Sequence, residues 1–136
     1  MKMIKSIPAL PVINIERAIE FYHAKLCFTI PYHDTGFAKM IRDEVELHLW
    51  AASDESWNGN SSLAASPIKS GAESFLAGTA SCRIQVQGIE EWYEECKRQG
   101  VIYNPDTVVQ RQPPWRTKEF SVLDLHRNLI TFYELI

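Results

Sequence analysis

A short phrase that occurs twice constrains this chain more than any other feature. Val-x-x-Ile-Glu stands at Val12–Glu16 and again at Val86–Glu90. In the first copy, Ala9 to Ile13 reads as extended, Asn14 is a suitable N-cap, and Ile15, Ile19, Tyr22 and Leu26 recur at helical spacing on one face. In the second, Arg83 to Gln87 reads as extended and Gly88 turns the chain. Ile89, Tyr93, Cys96 and Gly100 then repeat the spacing, with Gly100 as the residue that ends the helix. A strand and helix used twice predict a duplicated unit.

Strict alternation follows each helix and gives the sheets two unlike faces. In Val45-Glu46-Leu47-His48-Leu49-Trp50 the aliphatic residues share one side, and Glu46, His48 and Trp50 share the other. Ile84 and Val86 oppose Arg83, Gln85 and Gln87 in the same way, and Ile130 and Phe132 oppose Thr131 and Tyr133. One face therefore suits a helix. The other mixes large rings with His, Arg and Gln, which is what a ligand cavity requires: contact area from the rings, orientation from a few polar groups. Plain solvent exposure of that face is the alternative.

A chain of 136 residues, 46% hydrophobic and 23% charged, can bury one core but not two, so a single α+β domain is expected. Its first module runs from about 7 to 52 and its second from about 79 to 136. The stretch between them, about 53–78, is rich in serine and glycine, with Trp57, Leu63, Ile68 and Phe75 able to pin it to the body or close it over a ligand. A net charge of −3 gives no drive for nucleic-acid binding. Between Asp34 and Glu55, six acids (Asp34, Asp43, Glu44, Glu46, Asp54, Glu55) against Lys39 and Arg42 leave a local negative excess, which favours a cationic ligand or forms a solvated acidic face.

Cys27, Cys82 and Cys96 form no paired motif and read as buried thiols. Neither a secretory leader nor a membrane-length apolar run is present, so a cytoplasmic location and no membrane partner are expected. No nucleophile elbow, phosphate-cradling glycine loop or telling Cys/His pair suggests covalent chemistry.

The residues from Pro8 to Tyr22, followed by Leu26-Cys27-Phe28, resemble the first strand and helix of the vicinal-oxygen-chelate fold, and within it the bleomycin-resistance, or bleomycin-binding, proteins. Pro114-Trp115-Arg116-Thr117-Lys118-Glu119-Phe120, with Asp124 and Asn128, resembles the family's Pro-Trp-Gly-x-x-Glu-Phe and Asp-Pro-x-Gly-Asn signatures. Cys27 stands where glycine is usual, and Leu125, His126 and Arg127 depart from the final turn, leaving its geometry open.

The resemblance implies two β-α-β-β-β modules and a homodimer that exchanges its N-terminal strand; Pro8 and Pro11 suit such an extended arm or a simple edge strand. Enzymes of the fold hold a divalent metal, and the matching positions here are Ile7, Glu46, Ser81 and Thr131. One good donor among those positions is too few for an ion, so neither metal nor other cofactor is expected. A lone strand histidine such as His48 is more often packed or exposed than a ligand.

What the resemblance then implies is a non-enzymatic protein that sequesters a bleomycin-type drug, conferring antibiotic resistance. Such glycopeptides carry a planar bithiazole and a cationic tail. Trp115, Phe37, Trp50 and Trp57 are the candidate stacking walls, with His48 and Tyr133 on the same kind of face, and Asp34, Glu46 and Asp54 could meet the cation. Arg83 would oppose a cation and points to a neutral or anionic ligand. The competing readings are a metal-dependent glyoxalase-like or dioxygenase-like enzyme, and a binder of another metabolite.

Overall fold

The computed structural model describes residues 1–52 and 77–136; Asp54 and Trp57 lie outside them. Strand β1 (Ala9–Val12) leads into α1 (Ile15–Leu26) and then β2 (Thr29–His33), β3 (Phe37–Arg42) and β4 (Val45–Ala51). The second half repeats this order with β5 (Ser81–Gln85), α2 (Ile89–Arg98), β6 (Gln110–Gln112), β7 (Thr117–Leu123) and β8 (Leu129–Leu135). The sheets have the orders β1-β4-β3-β2 and β5-β8-β7-β6, each with one parallel pair at the strand that precedes the helix.

The expected alternation organises both sheets. Leu47, Leu49, Ile84, Ile130 and Phe132 are buried, while their neighbours Glu46, His48, Trp50, Arg83, Gln85, Thr131 and Tyr133 stay partly or largely accessible. Ile15, Ala18, Ile19, Tyr22 and Leu26 of α1, and Ile89 and Cys96 of α2, join those aliphatic faces in one buried cluster drawn from both halves.

Local signals decide where the elements stop. The Asn14 side chain accepts from Arg17 N at 2.9 Å and caps α1. The strand before α2 begins at Ser81 and ends at Gln85, two residues earlier at each end than the pattern suggested, because Gly88 takes a left-handed φ of 84° and the chain must already be leaving the ladder there. Helix α2 is capped by Gln99, and Gly100 follows it at φ 72°.

Cys27 corrects the expectation of three buried thiols. Cys82 and Cys96 are buried, and burial pushes their thiols up to about 11 and about 12. Cys27 instead occupies the left-handed C-cap of α1, φ 59°, and is exposed.

The two halves are clasped by one buried polar network. Tyr22 donates from its hydroxyl to Asp124 Oδ2 at 2.8 Å, and Asn128 Nδ2 donates to that same oxygen at 3.0 Å and to Pro11 O at 2.7 Å. Asp124 Oδ1 accepts from His126 N at 2.9 Å and Asn128 N at 2.8 Å. The turn therefore closes without the family's proline and glycine, since Arg127 adopts the left-handed φ of 72° itself. Burial, then the Asp124 carboxylate, push the Tyr22 phenol upward, so it stays a donor.

Candidate functional site

Strand register turns the sequence repeat into a geometric one. Ala9 lies beside His48, and Pro11 beside Trp50, across the parallel pair of the first sheet. Arg83 lies beside Thr131, and Gln85 beside Tyr133, in the second. Across the next pair, Phe37 faces Trp50 and Lys39 faces His48, whereas Glu119 faces Tyr133 and Ser121 faces Thr131. The two open faces are thus comparable position by position.

On the first face the rings gather. Phe37 lies 4.8 Å from Trp50, tilted, and 4.9 Å from His48, edge to face, with Tyr32 at 6.1 Å on its other side. The indole Nε1 of Trp50 is buried and has no hydrogen-bond partner among the described residues. His48 donates from Nε2 to Glu46 Oε2 at 2.7 Å, because an ionised carboxylate can only accept. Lys5 donates to Glu46 Oε1 at 3.0 Å and the Lys39 ammonium lies 4.0 Å from it. The Lys5 bond first, and the His48 bond second, hold the Glu46 carboxyl below the usual carboxylate range.

Glu46 is therefore already matched with cations. Asp34 sits at the turn before Phe37, where Oδ2 accepts from the Tyr32 hydroxyl at 3.0 Å and Oδ1 from Gly36 N at 2.8 Å. It shapes that turn while standing beside the ring cluster.

On the second face, charge and hydroxyls replace the rings. Arg83 Nη2 donates to Glu119 Oε2 at 2.8 Å and Nη1 to Oε1 at 3.4 Å, with its guanidinium 4.9 Å from the Tyr133 ring centroid. Thr117 Oγ1 also donates to Glu119, at 3.0 Å, and Ser121 and Thr131 share a hydrogen bond at 2.8 Å. Arg83 holds the Glu119 carboxyl below its ordinary range. Glu119 stands against Arg83 at contact distance and offsets its charge.

Trp115 lies in the 3₁₀ turn Pro113–Trp115 just ahead of β7 and is 68% exposed, a ring presented to solvent. Glu119, Lys5, Lys39 and Ser121 were missed as site residues. The period-two alternation of Thr117–Leu123 would have found Glu119 and Ser121; no local signal links Lys5 to Glu46.

A separate open groove of about 1130 Å³ runs between the end of α1, the β3–β4 turn and α2, and contains none of the predicted site residues. A cation–π contact in it, with Arg42 Cζ 4.5 Å from the centroid of the Trp92 ring, joins the two halves to each other. The aromatic and charged clusters on the two open faces are the better candidates for recognition.

The chain matches the Glyoxalase/Bleomycin resistance protein/Dioxygenase superfamily over residues 6–132. It belongs to that superfamily. Within it, a protein of Geobacillus stearothermophilus named bleomycin resistance protein is 48% identical over 134 residues, 98% of each chain. A Staphylococcus aureus protein of the same name matches to the same extent. Among solved structures, a bleomycin-binding protein from bleomycin-producing Streptomyces verticillus, complexed with copper(II)-bleomycin, has a TM-score of 0.73 at 21% identity, covering 97% of this chain and 96% of that one. That likeness is one of fold.

The metal site of superfamily enzymes can be tested against the side chains present. Ile7 offers no donor atom, the Thr131 hydroxyl is bonded to Ser121, and Glu46 already faces two ammonium groups. Among the described residues, no group of three or more His, Cys, Asp or Glu could hold an ion. The donor set does not fit a divalent metal. No helix of the described residues is long and apolar enough to cross a membrane.

Proposed function

We propose that this protein binds a bleomycin-type glycopeptide and sequesters it unchanged, as a metal-free cytoplasmic homodimer. The observation that carries this reading is the Phe37–Trp50 pair with Tyr32 beside it, an aromatic surface on the open side of a sheet in a chain 48% identical to proteins named for bleomycin resistance. Sequestration asks only for affinity. Rings supply contact area with little rotamer entropy to lose, and each stacking contact is worth on the order of 1 kcal/mol.

Asp34 beside Phe37 extends that surface, and the exposed ring of Trp115 on the second half is a further stacking candidate. Trp57 and Asp54 belong to the same proposal on sequence grounds. The test is titration with bleomycin while following tryptophan fluorescence, with the dimer verified by sedimentation. Saturable quenching at micromolar drug is expected; an intact dimer that shows none would contradict the reading.

The second reading, a metal-dependent enzyme of the same fold, draws on the Glu46–His48 pair at 2.7 Å. Elemental analysis of the purified protein separates the two, since stoichiometric zinc, nickel, manganese or iron would favour the enzyme.

A further inference from the structure

Arg83 has no counterpart on the first sheet, where the equivalent position is Ala9. Its guanidinium is fixed on two sides. Glu119 takes both Nη atoms, and the Tyr133 ring lies on one side of the group with its centroid 4.9 Å from Cζ. The supports are themselves held: Thr117 donates to Glu119 at 3.0 Å, and the Tyr133 hydroxyl donates to Gln85 Oε1 at 3.4 Å. The Arg83 side chain is nevertheless 51% exposed. What is left to solvent is about half the surface of a side chain that ends in a planar, weakly hydrated cation whose charge is already matched.

We propose that Arg83 is a specificity-determining platform, on which a planar heteroaromatic ring of the ligand stacks while Glu119 masks the guanidinium charge from any cationic group the ligand also carries. This assignment rests on the sequestration reading above. Planarity and masked charge are separable requirements. Lysine would keep the charge but lose the plane, and glutamine in place of Glu119 would keep the shape but unmask the charge.

The experiment is calorimetric titration of wild type, Arg83→Lys and Glu119→Gln with two ligands: bleomycin, and its free acid, which lacks the cationic tail. Thermal melting of each variant verifies folding; both substituted side chains are at least partly accessible. Arg83→Lys is expected to weaken both ligands about fivefold, the loss of one stacking contact. Glu119→Gln is expected to weaken only the cationic drug, by roughly fivefold at low salt and less at high salt, as screening dictates. Wild-type affinity for both ligands in Arg83→Lys, or an equal loss for both ligands in Glu119→Gln, overturns the assignment and leaves sequestration standing. Failure of the wild-type dimer to bind either ligand overturns the sequestration reading, and the platform with it.

Discussion

The first open face sets Trp50 and Phe37 side by side where the second sets Tyr133 and Glu119; beside them, Ala9, His48 and Lys39 answer to Arg83, Thr131 and Ser121, while Pro11, at the place of the exposed Gln85, is fully buried. One scaffold has therefore been given two chemistries. The inward residues of both copies remain apolar, since they all serve one core. The outward residues are free of that demand. In the first half they have become a ring cluster beside a carboxylate, Glu46, that is ringed by Lys5, Lys39 and His48; in the second they form a charge-compensated ledge. The two copies differ most on the face that the shared core does not specify.

The largest expected effect tests whether the two faces belong to one cooperative body. Asp124→Ala removes the acceptor for Tyr22, His126 and Asn128 and leaves buried donors unpaired, costing about 3 kcal/mol of stability in chemical denaturation. A single transition shifted to lower denaturant is expected. Two separated transitions would break the comparison, because each half would then be a unit in its own right.

Binding should rank the two faces. Phe37→Ala removes a ring that touches both Trp50 and His48, and is expected to cost about 2 kcal/mol of drug affinity by calorimetry. Tyr133→Ala should cost about 1 kcal/mol, through the stack that supports Arg83. Equal losses would mean that the faces contribute alike.

Backbone strain offers a smaller effect in both halves. Cys27, Arg116 and Arg127 all hold left-handed conformations, at φ 59°, 53° and 72°. Glycine at each relieves the Cβ clash but gains freedom in the unfolded chain, so a net stabilisation of about 0.5 kcal/mol per site is expected from melting curves. A loss at Arg127→Gly would show that its side chain does more than tolerate the turn.

The smallest effect is a two-step acid profile. Burial holds His126 below its ordinary value of 6.5, so the unfolded chain takes up that proton first. Stability should then decline as pH falls through 6.5 toward the lowered folded value, and His126→Gln should remove this step. Glu46 and Glu119 are held below their ordinary 4.5, so their contribution is present above that value and is lost as pH falls through the folded ones. Melting temperature followed from neutral to acid pH checks both steps.

Much of this was legible in the residues because alternation and helical spacing are local. Leu47 and Leu49 in, His48 and Trp50 out, follow from the pleat alone. The Asn14 cap was equally readable, since its partner is three residues away. What escaped was pairing across register: Arg83 finds Glu119 and Glu46 finds Lys5 only after distant segments are aligned. The final turn was also hard to read, because a left-handed arginine replaces the glycine that normally announces it.

The central claim is that these faces hold their ligand without altering it. It is tested most directly by saturating the protein with bleomycin in a calorimeter, then releasing the drug by denaturation and weighing it by mass spectrometry. Saturable heat and full recovery of drug at its original mass are predicted. A drug returned with a changed mass, or no heat at all, would contradict the account.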